Sequence, residues 1–116
     1  MNKRYKYQEI AEQIKMDIFE NHQVPNKPLP SIREYARLNQ VNPHTISCAL
    51  RLLKEEGIIY ISRGNGYCVT DNIKELKWML AQTTIKELIC TLSELGYEKE
   101  EVLIFIRDFL KTTTTP

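Results

Sequence analysis

A segment that begins at Asn42 and Pro43 constrains this chain more than any other, because it fixes both a helix start and the two faces of that helix. The Asn42 side-chain oxygen can accept hydrogen bonds from the free amides of the first helical turn. Pro43 suits the first helical position, because a backbone N–H there would have no partner within the helix. One buried stripe is predicted at helical spacing: Ile46, Ala49, Leu50 and Leu53. The opposite face carries short polar or cationic side chains: His44, Ser47, Cys48 and Arg51. Such a face can hydrogen-bond base edges in a major groove, or it is an ordinary solvated surface.

The residues on either side of this segment favour the first interpretation. Ser31 and Glu34 match the S-x-x-E capping box, which predicts a short helix just before the central one. Its predicted apolar side consists of Ile32, Tyr35, Ala36 and Leu38. Gly57 predicts the end of the central helix, and residues 58–61 have the composition of a strand. The run 64–66, Gly-Asn-Gly, predicts a tight hairpin turn with Arg63 at its tip. The result is a helix-turn-helix followed by a two-stranded wing.

Helices are also predicted before and after this unit. An amphipathic helix precedes it, with a stripe of Tyr7, Ile10, Ala11, Ile14 and Ile18 that should pack beneath the helix-turn-helix. After Asn72 a helix begins whose register slips at Thr83-Thr84, and Gly96 stops it. A last helix follows Glu98, and residues 112–116 are predicted to be a frayed tail. We therefore expect a mainly α chain with a small β-hairpin, divided into a winged helix-turn-helix at 1–71 and a helical hairpin at 72–116.

The charge distribution agrees with a nucleic-acid contact in the first part only. Residues 1–70 hold ten Lys and Arg against seven Asp and Glu, a net charge of +3, whereas residues 71–116 hold six against eight, a net charge of −2. The basic excess lies in the part that would touch phosphate, and it is modest. Affinity should therefore depend on pairing two copies of the chain.

Cysteine content and hydropathy predict the compartment. Cys48, Cys68 and Cys90 are odd in number and include no C-x-x-C pair, which fits a reducing environment. No signal-peptide core and no membrane-length apolar run is present, so we expect a cytoplasmic protein. The two histidines lie in no Cys/His cluster, and neither a metal site nor a cofactor is predicted. Whether Cys48 has a redox role stays open.

The ordered motifs of this chain closely resemble the DNA-binding domain of the GntR family of bacterial transcription regulators, and its YtrA-type subfamily in particular. The motifs are residues 29–36 (Leu-Pro-Ser-Ile-Arg-Glu-Tyr-Ala), 41–46 (Val-Asn-Pro-His-Thr-Ile), 56–60 (Glu-Gly-Ile-Ile-Tyr) and 63–69 (Arg-Gly-Asn-Gly-Tyr-Cys-Val). Two positions where the family commonly has glycine are Asn21 and Asn26 here, and Asn tolerates the left-handed region better than most residues. Ser47 is short where relatives often carry a long basic or amide side chain.

This resemblance implies a sequence-specific regulator of transcription, most simply a dimeric repressor on an inverted-repeat operator. The implied and inferred DNA-contacting residues are Arg33, Asn42, Pro43, His44, Thr45, Ser47, Arg51, Arg63, Gly64 and Asn65. The C-terminal helices would form the homodimer through the heptad-like seam Ile85, Leu88, Leu92 and Leu95, together with Phe105 and Phe109.

Alternatives from other classes stay open at this stage. A winged-helix module for protein interaction, without sequence-specific DNA binding, would show an acidic or apolar recognition face, which His44, Ser47, Arg51 and Arg63 argue against. An enzyme would use Cys48 and His44 as nucleophile and base, since residues four apart on a helix can touch, but no oxyanion glycines or orienting carboxylate accompany them. The aromatic residues of the C-terminal part, Trp78, Tyr97, Phe105 and Phe109, line either a small-molecule effector pocket between subunits or ordinary core.

Overall fold

The computed structural model describes residues 5–21 and 23–112. In chain order its elements are α1 (Lys6–Asn21), α2 (Ile32–Asn39), α3 (Pro43–Glu55), β1 (Ile59–Ser62), β2 (Gly66–Val69), α4 (Ile73–Glu94) and α5 (Lys99–Thr112). The chain forms two compact units, one up to Lys77 and one from Trp78 onward. Helix α5 includes Thr112, which the sequence placed in the frayed tail, and the rest of that tail lies outside the described residues.

The core of the first unit forms where α1 and α2 pack against α3. The predicted stripe of α1 is buried at Ile10, Ala11, Ile14 and Ile18, and the stripe of α3 at Ile46, Ala49, Leu50 and Leu53. Each large aliphatic side chain removed from water contributes about 1.5–3 kcal/mol. Two buried stripes fix how α3 is rotated about its axis, so the predicted outward face is confirmed.

Helix α2 begins and ends through specific backbone interactions. The Ser31 hydroxyl accepts from the Glu34 N–H at 3.1 Å, and the Glu34 carboxylate accepts from the Ser31 N–H at 3.3 Å, so the predicted capping box is present. At the other end Gln40 adopts a left-handed conformation (φ 53°). The prediction that Leu38 belongs to the apolar side is wrong, because this side chain is 63% exposed. The buried side of this short helix consists of Tyr35 and Ala36, with Ile32 partly buried against the same core.

Helix α3 ends at a glycine that directs the chain into the wing. Gly57 has a φ of 80°, its N–H donates to the Lys54 carbonyl, and the Ile58 N–H donates to the Leu53 carbonyl. This pair of bonds is the Schellman motif, in which a left-handed residue satisfies the last carbonyls of a helix. Ile58 and Ile59 are then buried at once. The predicted stop and strand are both confirmed.

The wing is an antiparallel pair of β1 and β2, and the segment before α2 joins it. Ile59 pairs with Val69 and Ser62 with Gly66, which leaves Arg63, Gly64 and Asn65 as the loop. The N–H groups of Asn26 and Leu29 donate to the Val69 and Tyr67 carbonyls, both at 2.9 Å. Asn26 holds a φ of 64°, which agrees with the expectation that Asn tolerates a position where relatives carry glycine. Asn21, the other such position, is instead the last residue of α1.

The start of α4 belongs to the core of the first unit. Ile73 is fully buried there, and Leu76 is partly buried against the same core. The compact units accordingly divide between Lys77 and Trp78, within α4, a few residues beyond the chain position where the composition changes.

The second unit is a helical hairpin. The predicted slip of register at Thr83-Thr84 does not interrupt α4, because the Thr84 hydroxyl donates to the Leu80 carbonyl at 2.8 Å within a continuous helix. Gly96 ends α4 with a φ of 92°, as predicted. The Glu98 N–H donates to the Glu101 carboxylate at 3.1 Å and starts α5. Among the described residues, no helix is both long and apolar enough to cross a membrane.

The shifted pKa of the Tyr35 hydroxyl makes the stability of the first unit depend on pH. Burial, with a smaller contribution from the Asp17 carboxylate, raises the pKa of the Tyr35 hydroxyl to about 12. In the unfolded chain the pKa of a Tyr hydroxyl is about 10. At pH values between these two pKa values, the unfolded chain therefore releases a proton that the folded chain keeps. This contribution to stability is complete below about pH 10 and is lost as pH rises toward about 12.

We therefore expect the free energy of unfolding to fall more steeply with pH across this window in the wild-type chain than in Tyr35→Phe. Urea denaturation at several pH values measures both curves. Parallel curves would contradict the assignment.

Candidate DNA-binding surface

The outward face of α3 is built by the cap at its start and the buried stripe behind it. The Asn42 side-chain oxygen accepts from the His44 N–H at 2.7 Å, and Pro43 is the first helical residue, both as predicted. His44 and Arg51 are exposed, whereas Thr45, Ser47 and Cys48 are half-buried. The Cys48 Sγ lies 3.6 Å from the His44 Nε2, so these two side chains touch, as their spacing suggested. The face therefore offers a guanidinium, a hydroxyl and an imidazole, all able to bond base edges.

Helix α2 adds cationic side chains beside this face. Arg33, in its first turn, is exposed. The neighbouring Glu34 is engaged at the Ser31 amide. Arg37 lies one helical turn beyond Arg33 and is also exposed, and the sequence analysis did not single it out. Arg37 could have been found in the sequence, because residues four apart on a helix lie on the same face.

The tip of the wing is accessible to a partner. Arg63, Gly64 and Asn65 are all exposed, and the Asn65 N–H donates to the Ser62 carbonyl at 3.1 Å to close the turn. Gly64 holds a φ of 87°, a conformation that side-chain-bearing residues rarely adopt. This geometry lets a backbone approach a partner closely beside the Arg63 guanidinium.

The cations of this surface are available to a partner. The ion pairs of the described residues include Lys6–Glu9 at 3.8 Å and Lys15–Glu56 at 3.3 Å. Within residues 5–21 and 23–112, no ion pair engages the arginines of the surface: Arg33, Arg37, Arg51 and Arg63. The same residues contain no group of three or more His, Cys, Asp and Glu side chains placed to hold a metal ion.

A second surface lies on the helical hairpin and is apolar. Five of the six residues predicted to form a dimer contact are exposed in the isolated chain: Ile85, Leu88, Leu95, Phe105 and Phe109. Leu92, the sixth, is half-buried within its own chain. Because α4 is continuous, the same 3-and-4 spacing extends backward from Ile85 to Ala81 and Trp78, which the sequence analysis did not include in the seam.

The hairpin also contains an apolar groove of about 950 Å³ between α4 and α5. Ile85, Leu88, Ile89, Val102, Leu103 and Ile106 line it, with Tyr97, Glu98 and Glu100 at polar positions. Tyr97 and Phe105 pack edge to face with ring centroids 4.8 Å apart, so they partly cover one another. Trp78 and Phe109 remain largely exposed. Trp78, Tyr97, Phe105 and Phe109 therefore do not form a single aromatic cluster.

Comparison with known proteins assigns the first unit. The family described as bacterial regulatory proteins, gntR family, matches residues 6–69. The HTH-type transcriptional repressor YtrA of Bacillus subtilis (strain 168) is 33% identical over 106 residues, which cover 88% of this chain and 82% of that protein.

Solved structures show the same similarity. A GntR family transcriptional regulator from Listeria monocytogenes has a TM-score of 0.74 at 30% identity, covering 93% of this chain and 97% of that one. The structure of AraR(DBD) in complex with operator ORE1 has a TM-score of 0.55 at 28% identity, covering 59% of this chain and 83% of that one.

These relatives are regulators of transcription and not enzymes, so the interpretation of Cys48 and His44 as a catalytic pair is dropped. The helix-turn-helix and its wing are the part that the family has in common. This chain belongs to the GntR family of bacterial transcription regulators, and its first unit is a winged helix-turn-helix that binds DNA.

Proposed function

We propose that this protein is a dimeric repressor that binds an inverted-repeat operator through α3 and excludes the transcription machinery. The observation that carries the proposal is the rotation of α3, because its buried stripe leaves His44 and Arg51 exposed on the opposite face of the helix. The relative YtrA is named a transcriptional repressor. A gel-shift and footprint on the promoter of the protein's own gene, followed by transcription from that promoter in vitro, test binding and repression separately.

Each element has its own role in this proposal. His44, Ser47 and Arg51 meet base edges in the major groove, while Asn42, Pro43 and Thr45 hold the start of α3 against the phosphate backbone. Arg33 reaches a phosphate or a guanine edge from α2. The wing tip, with Arg63, Gly64 and Asn65, approaches the adjacent minor groove or its phosphates. Only the base-reading side chains carry sequence information.

The helical hairpin supplies the second half of the proposal. Its exposed apolar side chains are too many for a solvated helix pair, and surfaces of this kind normally meet a partner subunit. A second copy of the chain packed on α4 and α5 would cover the seam from Trp78 to Leu95 together with Phe109. Since a two-fold dimer copies its symmetry onto DNA, the half-site centres should lie about one helical turn apart or a multiple of it.

Alanine substitutions test the groove face. Replacing a base-reading side chain, as in His44→Ala, should cost about 1–3 kcal/mol and relax discrimination at one base pair. Replacing a phosphate contact, as in Arg63→Ala, should weaken binding to all sequences alike. Lys86→Ala, on the exposed surface of α4, is the matched control. Unchanged promoter binding by Arg33→Ala, His44→Ala and Arg63→Ala would show that another surface binds the DNA.

Salt dependence tests the nature of the contact. With roughly 6–10 phosphate contacts in a dimer, affinity should fall by about three to five orders of magnitude between about 50 and 200 mM salt, because counterions are released on binding. Fluorescence anisotropy with a labelled promoter duplex measures the slope. A flat dependence would point to a partner other than nucleic acid.

The double variant Ile85→Glu with Leu88→Glu tests the dimer. Both residues are exposed in the isolated chain (51% and 42%), so charges there should leave the hairpin folded while they disrupt a subunit contact. We expect a monomer in sedimentation and a loss of roughly 10²–10⁴ in operator affinity, because the second half-site contact becomes bimolecular.

The matched control is Thr83→Glu with Cys90→Glu, which places the same two charges at exposed positions on the opposite face of α4. This control should stay dimeric and keep its operator affinity. If the seam variant also stayed dimeric, the apolar surface would have to bind something other than a second copy, such as a small-molecule effector.

A further inference from the structure

The DNA-facing side of α3 contains a side-chain contact that the proposed function does not use. The Cys48 Sγ lies 3.6 Å from the His44 Nε2, one helical turn away. Cys48 is half-buried and His44 is exposed. Within the part of the chain that the structure describes, this is the hydrogen bond of the His44 ring, and the residue is otherwise exposed to solvent.

The chemistry of the two groups favours one direction for this bond, although a thiol is a weak donor as well as a weak acceptor. A neutral imidazole has one N–H donor and one nitrogen acceptor, and the bond made by one nitrogen sets the state of the other. The thiol sulfur is a weak acceptor, whereas an imidazole nitrogen accepts readily. The favourable arrangement therefore has the Cys48 S–H donating to Nε2, which requires the proton of the ring to be on Nδ1.

We infer that Cys48 is a positioning residue for DNA recognition: its thiol holds His44 in the Nδ1–H tautomer and in one ring orientation. The ring then presents a single donor to the groove. It would select an acceptor on a base edge, such as guanine O6 or N7, and would reject the amino groups of cytosine and adenine. The inference rests on the proposed function only in placing His44 at a base edge.

This inference explains why a side chain with a hydrogen-bond donor is needed at position 48. A small apolar side chain would fill the same half-buried space on α3, but it would leave both ring nitrogens free and the tautomer unset. A serine would keep a donor of similar size. The inference therefore separates Cys48→Ala from Cys48→Ser, which a purely packing role would not do.

The tautomer can be measured in the full-length protein without DNA. Nitrogen-15 NMR of the imidazole at mildly alkaline pH should show mainly the Nδ1–H form of His44 in the wild-type chain. Cys48→Ala should lose this preference and Cys48→Ser should restore at least part of it, while Cys90→Ala, an exposed cysteine on α4, should leave it unchanged. An Nε2–H ring in the wild-type chain, or an unchanged tautomer in Cys48→Ala, would overturn the inference.

Binding is measured with a duplex that the full wild-type chain selects from a random-sequence pool. His44→Ala should lose discrimination at one base pair by about 5- to 140-fold, the range of one good base contact. Cys48→Ala should lose several-fold at the same base pair, and Cys48→Ser should lose less. Where that base is a guanine contacted at N7, 7-deazaguanine should weaken binding by the wild-type chain and have little effect on His44→Ala, because N7 is the acceptor removed; where the contact is to O6, 2-aminopurine, which lacks O6, should have this effect instead.

The outcomes of the two proposals differ. If His44→Ala keeps full discrimination at every base pair, the groove-face role of His44 in the proposed function fails. If His44→Ala loses discrimination and Cys48→Ala does not, the groove face stands and the positioning role of Cys48 is wrong.

Discussion

The burial of one stripe of α3 is the interaction on which the rest of this structure depends. The stripe consists of four buried residues: Ile46, Ala49, Leu50 and Leu53. All four reach the core only if α3 has one particular rotation about its axis. Interiors are close-packed, so a rotation of even one residue position would bring polar side chains into the core at high cost. The outward face of α3 is therefore determined by the buried face, and the side chains proposed to read DNA, His44, Ser47 and Arg51, are positioned by the core behind them.

Much of the first unit could be predicted because its signals are local. A cap at Asn42, a box at Ser31 and Glu34, and glycines at the ends of α3 and in the wing each act within a few residues. Leu38 was misplaced because the apolar pattern of an eight-residue helix does not say how wide its buried side is. The share of α4 in the first core was missed for a related reason: burial of Ile73 depends on residues far away in sequence.

The candidate site shows the same division between local and distant information. The residues of the outward face follow from periodicity alone, and the spacing of His44 and Cys48 already suggested that they touch. Which atoms meet does not follow, because it depends on rotamers that backbone and neighbours select. The contacts of the helical hairpin are the hardest to predict, because an apolar pattern in the sequence does not distinguish residues of an intrachain core from residues of a subunit contact. Leu92 is half-buried in its own chain while Leu88 is exposed, although both belong to one heptad pattern.

The hydrogen bonds between the segment before α2 and the wing have a consequence for the order in which the chain is made. Asn26 and Leu29 donate to carbonyls of Val69 and Tyr67, and the Val69 N–H donates back to Lys27. On the ribosome, the entry to α2 therefore waits for partners that are synthesised some forty residues later, and the core waits slightly longer for Ile73. Non-local pairing of this kind delays folding until the distant segment is present. A nascent chain that stops before the second strand contains α2 and α3, yet it lacks the strand that holds the segment leading into α2.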